Sequence, residues 1–264
     1  MEMDMIKKII STLTLMCAVS VPLIVGGAET AIHDSISELN ARQILDKVDD
    51  LWRADSSHGT MTMKITTAHW ARSLTIEIWS KGKEQSLMRI LAPIKEKGTA
   101  TLRSGNNIWN YLPKVKRIIK LPSSMMASSW MGSHFTNDDL VKESRMADDY
   151  TFTVSFQGER EEVHIIEVIC FPLPEAVVVW GKVIVTVEKE TYLPIKVLYY
   201  DEDLVLARSM LFSDVGPLGG QDRPRQASII PADNPDESTI INYHEMEFNI
   251  PINDSLFSLR SLQQ

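Results

Sequence analysis

The side chains best suited to metal chemistry in this sequence are His134, Asp138 and Asp139, which lie within one short stretch. Imidazole and carboxylate groups bind divalent metals, but a protein metal site normally draws on a more characteristic spacing of ligands. A solvated turn capped by Asn137 or Asp138 explains the same residues and is the favoured interpretation. The other histidines are scattered along the chain, at positions 33, 58, 69, 164 and 244. We therefore predict no metal site.

Sequence motifs of the common enzyme classes are absent. The sequence contains no G-x-S-x-G nucleophile elbow, no phosphate-binding loop, no H-E-x-x-H and no C-x-x-C. Ser133 precedes His134, but adjacency in sequence does not make a nucleophile–base pair. Strand geometry places His244 on the opposite face from Glu245 and Glu247. The sequence predicts a protein that is not an enzyme and that uses no cofactor.

Large, soft apolar side chains are concentrated in one Ser-rich segment that contains Met125, Met126, Trp130 and Met131. Thioethers and indoles adapt well to irregular apolar ligands, so these residues are candidates for a binding surface. A Met and Trp cluster on a short helix is more often part of a core. Both interpretations stay open at this point.

Composition limits the class of protein. The chain has 264 residues, of which 44% are hydrophobic and 23% are charged, and its net charge is −8. These values exclude an integral membrane protein, a disordered chain and a fibrous protein. A nucleic-acid partner is not expected, because an acidic chain lacks the basic footprint that such binding needs.

Residues 1–28 have the layout of a cleavable secretory signal peptide. Lys7 and Lys8 precede an apolar run, and small residues follow it up to Ala28. An uncleaved anchor is the alternative, although the run is at the short end for a membrane span and Pro22 interrupts it. We do not expect lipidation of Cys17, because no small residue stands directly before it. The predicted mature chain, 29–264, forms one domain.

That mature chain would contain a single cysteine, Cys170, within an apolar run. A single thiol cannot form an internal disulfide, so Cys170 is predicted to be a small buried hydrophobic residue.

The first secondary-structure element that the sequence predicts is an amphipathic helix over 40–52. Its apolar residues recur at helical spacing, and Asn40 with Gln43 suits a capping box. After this helix the hydrophobic period changes from 3.6 to 2. Two alternating runs follow, and a hairpin signal at Lys81–Gly82 joins the second of them to the next strand-like run, EQSLMRIL. Their apolar positions are Met61, Met63, Ile65, Leu74, Ile76 and Ile78.

Further strand-like runs bring the total to roughly eleven, with no helices alternating between them, which favours an antiparallel sheet or barrel. Two segments break the pattern. Residues 122–140 are expected to form a short helix near Met125–Met131 and a second turn near Asn137–Leu140. Residues 213–237 are rich in Gly and Pro and are predicted to be a long loop.

The run IWNYLPKVKRIIKLPSSMMASSWMGSHFTNDDLVKES, residues 108–144, resembles the central signature of the outer-membrane lipoprotein-sorting protein family, which is LolA-like. In that family a W-x-Y-L-P strand and a basic strand precede a Met-Gly-Ser-Asp-Phe-Thr-x-x-Asp-Leu turn. The segments ARQILDKVDD, YLPIKVLYYD and NDSLFSLRSL also resemble it, so the resemblance covers nearly the whole mature chain. One departure is His134, which stands where the family usually has Asp and would introduce pH sensitivity.

The resemblance implies a mainly β (α+β) fold, an unclosed antiparallel β-barrel of roughly eleven strands with short helices covering its mouth. It further implies a periplasmic carrier that binds lipid or the acyl chains of lipoproteins in an apolar hollow and moves them across the envelope. The candidate membrane partner is an exporter of the resistance–nodulation–division type, with only peripheral or transient contact to the membrane.

The hypothesis assigns roles to particular side chains, although either face of the sheet can be the inner one. Met61, Met63, Ile65, Leu74, Ile76 and Ile78 would line the hollow. Residues Met125, Met126, Trp130 and Met131 would form a movable lid, and Trp109 and Trp130 would contact acyl chains. The main alternative is a structural or regulatory subunit that docks on the exporter and carries nothing, and a hydrolase is a third candidate.

Overall fold

The computed structural model describes residues 41–52, 54–142, 149–176 and 178–263. The predicted signal peptide, its cleavage site and the predicted cap at Asn40 lie outside the described residues. Within these ranges, no helix is both long enough and apolar enough to cross a membrane.

One antiparallel sheet of thirteen strands makes up most of the described chain, in the order β6-β5-β4-β3-β2-β1-β13-β12-β11-β10-β9-β8-β7. The strands are β1 Ser56–Thr66, β2 Ala71–Lys81, β3 Gln85–Ala92, β4 Ala100–Ser104, β5 Asn107–Leu112, β6 Arg117–Lys120, β7 Tyr150–Arg160, β8 Val163–Pro172, β9 Lys182–Glu188, β10 Pro194–Tyr200, β11 Leu206–Leu218, β12 Gln221–Pro231 and β13 Ser238–Phe248. Sequential strands pair except β6 and β7, and β1 pairs with β13. Because β6 and β7 are the two edges, the sheet is unclosed, which confirms the predicted architecture.

The alternation predicted for β1 and β2 is present, and it defines the inner face of the sheet. Met61 lies opposite Ile76 and Met63 lies opposite Leu74, and all four side chains are buried. They belong to one core cluster that also takes side chains from β3, β5 and β7 to β13. A sheet whose strands share one interior in this way must curl around it. The predicted hairpin is also confirmed, with Gly82 in the turn between β2 and β3.

The predicted amphipathic helix is α1, residues 41–52. Ala41, Ile44 and Leu45 are buried in the same core cluster, so α1 packs its apolar side into the curled sheet. At its end, the Trp52 ring stacks on Tyr243 of β13 with centroids 4.7 Å apart. A helix with one apolar face is thereby used to fill part of the interior.

Residues 213–237 are not a long loop, and that prediction is wrong. They contribute to the β11–β12 hairpin, whose turn is Gly219–Gly220 with φ of 59° and 83°. Strand β12 pairs with β13 only through Gln226–Ile229, so Pro224 has a partner on one side only, Val215. Proline lacks an N–H and is tolerated where one edge of a strand is unpaired. The missed strand β12 helps to explain why thirteen strands form instead of eleven.

The helix predicted over Met125–Met131 is also replaced by other structure. Two short 3-10 turns form instead, at Ser123–Met125 and Trp130–Gly132, and helix α2 follows at Asp139–Lys142. Met131 and Gly132 have φ of 52° and 68°, in the left-handed region. Two consecutive left-handed residues end any right-handed helix, so the segment changes direction at this point.

Cys170 is buried in the core, as predicted, and it is the only cysteine in the part of the chain that the structure describes. Burial raises the pKa of its thiol to about 12. Because the thiolate is the reactive form, a thiol with so high a pKa is inert near neutral pH.

We expect the chain beginning at Glu29, which lacks Cys17, to show no free thiol to a disulfide-exchange reagent at about pH 8 while it is folded. The same sample should react with one equivalent after unfolding in guanidinium. Full reaction of the folded protein within minutes would contradict the burial of Cys170.

A second apolar cluster lies on the outer face of the sheet. It is built from Leu87, Ala100 and Leu102, and it is covered by Phe257 and Leu262 of the C-terminal segment. That segment forms two 3-10 turns, at Asp254–Phe257 and Ser261–Gln263. The guanidinium of Arg89 donates to the Ser261 carbonyl at 2.7 Å and holds the segment in place.

Replacing Leu262 with Ala should lower the free energy of unfolding by about 2–5 kcal/mol, since it leaves a cavity beneath the C-terminal segment. Leu259→Ala is the matched control, because Leu259 is 45% exposed whereas Leu262 is 0% exposed. The control should change stability by no more than about 0.5 kcal/mol. Urea titrations that give equal losses for the two variants would show that the segment does not cover the outer cluster.

Candidate functional site

An apolar cavity lies inside the curled sheet. Its empty space is about 1400 Å³, part of which is open to solvent. The walls come from α1, from eight strands (β1 to β3 and β9 to β13) and from residues 130–140. The apolar side chains that form most of the wall are Leu45, Val48, Trp52, Met61, Ile78, Met88, Trp130, Phe135, Leu140, Val185, Val197, Met210, Phe212, Ala227, Ile241 and Met246. Many are flexible aliphatic or thioether side chains, which adapt to irregular ligands.

Three of the predicted ligand-binding residues line this cavity, namely Met61, Ile78 and Trp130. Four others point to the same interior and are fully buried in the core: Met63, Ile65, Leu74 and Ile76. Those four occupy the ends of β1 and β2 nearer the β1–β2 turn. The hollow therefore occupies one half of the interior, and close packing fills the other half.

The remaining predicted site residues lie elsewhere. Met126 and Met131 pack against the core, and Met125 is exposed, so these three do not line the cavity. Trp109 lies on the outer face of the sheet, where it packs against the second cluster beneath the C-terminal segment. Strand alternation explains this placement, since its neighbour Ile108 takes the inward position on β5.

The sequence did not predict which residues form the cavity wall opposite β1 and β2. Val185, Val197, Met210 and Ile241 come from four strands, β9, β10, β11 and β13. Each of these strands has alternating buried positions, so the period-2 signal was available for them. Alternation gives the inner face of a strand, but it does not show which inward residues border empty space.

The segment from Ser128 to Leu140 is held in place by its own polar groups. Trp130 is buried, and its indole N–H donates to Thr101 Oγ1 on β4 at 3.2 Å. The Asn137 side-chain amide donates to the carbonyls of Met125 and Ser128 at 3.0 and 3.1 Å. The predicted lid segment is thus anchored in the core at Trp130, while its exposed part surrounds Met125.

The turn before α2 uses a different cap from the one predicted. Asp139 Oδ2 accepts from the Thr136 N–H at 2.6 Å, and Thr136 Oγ1 accepts from the Asp139 N–H at 3.1 Å. This exchange is the reciprocal pattern of a capping box. Thr136 and Asp139 therefore cap the turn, instead of Asn137 or Asp138.

Comparison with known proteins shows where this architecture occurs. A family model described as that of an uncharacterized protein matches residues 82–264. The chain belongs to this family, and its fold is LolA-like. A search of curated proteins found no match.

Three solved structures share the LolA-like fold of this chain. A DUF1329 family protein from Desulfovibrio piger has a TM-score of 0.78 at 19% identity, covering 86% of this chain and 99% of its own. An outer membrane lipoprotein-sorting protein domain from Vibrio parahaemolyticus has a TM-score of 0.75 at 22% identity, covering 88% and 100%. A LolA superfamily protein from Nitrosomonas europaea has a TM-score of 0.71 at 20% identity, covering 84% and 98%.

In this LolA-like chain, His134 joins the segment from Ser128 to Leu140 to β13. Its backbone N–H donates to Thr239 Oγ1 at 3.0 Å, its Nδ1 lies 2.9 Å from the same oxygen, and its Nε2 lies 3.2 Å from Glu237 Oε2. A hydrogen bond from the Ala68 backbone N–H, followed by the one from His134, lowers the pKa of Glu237. Within the described ranges, no three His, Cys, Asp or Glu side chains are arranged to hold a metal ion.

Arg208 of β11 binds the segment from Ser128 to Leu140 and so connects it to the opposite side of the interior. Its guanidinium donates to both carboxylate oxygens of Asp139, at 2.6 and 2.8 Å, and to the carbonyl of His134 at 2.8 Å. The same group lies 4.2 and 4.5 Å from the ring centroids of Tyr199 and Trp180. Arg208 and Asp139 are both buried, so each charge depends on the other.

Replacing Asp139 with Asn should lower the free energy of unfolding by about 3–5 kcal/mol, because it leaves the buried Arg208 charge without its counter-ion. Asp214→Asn is the control: Asp214 pairs with Arg225 at 2.7 Å, and both side chains are substantially exposed. Breaking an exposed pair should cost about 0–1 kcal/mol. Equal urea midpoints for the two variants would refute a structural role for the buried pair.

Proposed function

We propose that this chain is a periplasmic carrier that binds lipid, or the acyl chains of lipoproteins, in the apolar cavity and moves them across the envelope. The observation that carries the proposal is the cavity itself, with its apolar walls and its opening to solvent. The LolA-like fold supports it, since one structure with this fold is described as an outer membrane lipoprotein-sorting protein domain.

Acyl chains suit this cavity on energetic grounds. Each methylene moved from water into an apolar environment gains about 0.8 kcal/mol, so even a partly enclosed chain should bind measurably. The walls contain Met61, Met88, Met210 and Met246, whose thioethers repack around chains of different shape. A carrier needs this tolerance, because it must accept its cargo and later release it.

The proposed carrier does no chemistry on its cargo. The polar side chains on the cavity wall belong to Asp, Ser and Tyr residues, and there is no histidine among the described residues that line it. A serine nucleophile needs an adjacent general base that accepts its hydroxyl proton. This composition favours binding over the hydrolase alternative.

We further propose that the carrier is exported by the signal peptide at residues 1–28 and contacts membranes only transiently. The pattern of Lys7–Lys8, an apolar run and Ala28 supports export.

A second candidate, docking on a membrane exporter of the resistance–nodulation–division type, is favoured by one exposed surface. Ile94 is 91% exposed at the β3–β4 turn, and Val115 is 58% exposed at the β5–β6 turn. The two turns are neighbours, because a Cβ at Gly98 would lie 3.7 Å from Pro113 Cγ. Exposed cations flank both apolar tips in the sequence: Lys95, Lys97, Lys114, Lys116 and Arg117. A cationic and apolar surface on an acidic protein suits an acidic docking partner.

Filling the cavity should abolish cargo binding if the carrier proposal is right. Ala227 is buried and lines the cavity, so Ala227→Phe places a ring in the empty space. We expect affinity for a pyrene-labelled diacylglycerol to fall at least about tenfold. Overpacking should cost about 1–3 kcal/mol of stability, which leaves the fold intact.

Ala71→Phe at the exposed start of β2 is the matched control, and it should bind the probe like wild type. Wild-type binding that is unaffected by Ala227→Phe would place the ligand outside the cavity. If wild type binds no acyl probe at all, the docking subunit becomes the better proposal.

A further inference from the structure

The seam between β12 and β13 lies in the wall of the cavity, and its pairing is incomplete. Each of the two strands has 11 residues, but among the described residues they pair only over Gln226 to Ile229 of β12. Beyond the last pair, Gln226 with Asn242, the strands continue to Gln221 and Phe248 without pairing to each other. The curled sheet is therefore split at one end of this seam.

The sequence of β12 explains why the pairing stops. Pro224 lies in the unpaired stretch, and it has no N–H to donate to a neighbouring strand. The tip of the β11–β12 hairpin is held by a side chain instead. Arg223 Nε donates to the Leu51 carbonyl of α1 at 2.6 Å, and its guanidinium lies 4.0 Å from the centroid of the Phe248 ring. Paired strands thus bound the split at one end, and Arg223 bounds it at the other.

One aromatic side chain covers this seam from the inside. Trp52, at the end of α1, stacks on Phe212 of β11 and on Tyr243 of β13, with ring centroids 6.4 and 4.7 Å away. Strand β12 lies between β11 and β13, and it contributes only the small side chain of Ala227 here. All four residues line the cavity. Because Tyr243 directly follows Asn242 of the last pair, Trp52 spans the seam where the pairing ends.

Trp52 is less firmly held than the other tryptophan of the cavity. Trp130 is 4% exposed, and its indole N–H donates to Thr101 Oγ1, whereas Trp52 is partly exposed and stacks on two rings. A stacked ring can turn about its side-chain bonds without breaking a hydrogen bond, while its backbone stays in α1. Trp52 can therefore move aside at the split.

The cavity wall near the β2–β3 turn is less suited to the passage of an apolar chain. Ser57, Ser80 and Ser86 lie opposite one another on adjacent strands there and line the cavity. An apolar chain that passes such hydroxyls removes their water without replacing the hydrogen bonds, which is costly. The three aromatic rings at the seam offer apolar surface instead.

We propose that acyl chains enter and leave the cavity through the split between β12 and β13, past the side chain of Trp52. An entering chain displaces the Trp52 ring and parts the strands at the pair of Gln226 and Asn242. Opening a short ladder from its end breaks few hydrogen bonds, so it needs only a local opening of the sheet. The proposal rests on the carrier function and adds the route of the cargo to it.

Trp52→Ala tests this route in stopped-flow kinetics, with a pyrene-labelled fatty acid below its critical micelle concentration as the probe. The variant should raise the association rate constant at least about fivefold, because an entering chain no longer displaces a ring. Trp130→Ala is the matched control, since it removes the same side chain from the same cavity at a position held on β4. Loss of a wall contact acts mainly on release, so the control should change the association rate constant by less than about twofold.

A disulfide across the last pair tests the route without emptying the cavity wall. Gln226 and Asn242 are directly opposite, with their side-chain amides 2.9 Å apart, so Gln226→Cys combined with Asn242→Cys brings two thiols within bonding reach. In the chain that begins at Glu29, oxidation should slow association at least about tenfold, and reduction should restore the rate. The matched control combines Lys64→Cys with Ser73→Cys, an exposed opposite pair on β1 and β2, and should leave the rate unchanged.

An unchanged association rate in the oxidised seam variant would overturn the proposed route, and so would equal acceleration by Trp52→Ala and Trp130→Ala. Binding by the wild type separates the route from the carrier function. If wild type binds the probe and either of these results is obtained, the route alone is wrong. If wild type does not bind the probe, the carrier function fails as well.

Discussion

A sheet of thirteen strands that curls around one interior encloses more space than its own side chains can fill. The rest of the structure follows from this constraint. Helix α1 and the segment from Trp130 to Leu140 are packed into the interior, where they contribute Leu45, Trp130 and Phe135 to the core. What these elements leave unfilled is the cavity. Because β6 and β7 do not pair, no strand pairing positions the intervening segment, which must be held by side-chain contacts.

Those contacts are polar, and they are concentrated on Arg208. A buried guanidinium is tolerated only when charge and hydrogen bonds satisfy it, and here Asp139, the His134 carbonyl and two aromatic faces do so. His134 extends the network to Thr239 on β13 and to Glu237, which directly precedes β13. His134 therefore lies at a junction between the segment and the sheet. The segment from Trp130 to Leu140 is thus held by charged and polar contacts, whereas helix α1 is held by apolar packing.

The two faces of the sheet have different uses. The outer face of β3 and β4 is covered by the C-terminal segment, and this explains why Trp109 and Leu102 can be apolar on the outside of the sheet. The inner face lines an apolar cavity whose wall also carries Ser57, Ser80 and Ser86.

The sequence by itself determined the class of fold and part of the site. Local periodicity sufficed for α1 and for the inner faces of β1 and β2, and the central signature was enough to identify a LolA-like chain. Period and composition are local properties, so they failed where long-range pairing decides, as in β12, whose prolines are tolerated because part of the strand pairs on one side only. Only the tertiary structure separated Trp130 from Trp109, aligned Ser57 with Ser80 and Ser86, and brought Arg208 to Asp139. These outcomes depend on strand register and on contacts between residues far apart in the chain, which no short stretch of sequence specifies.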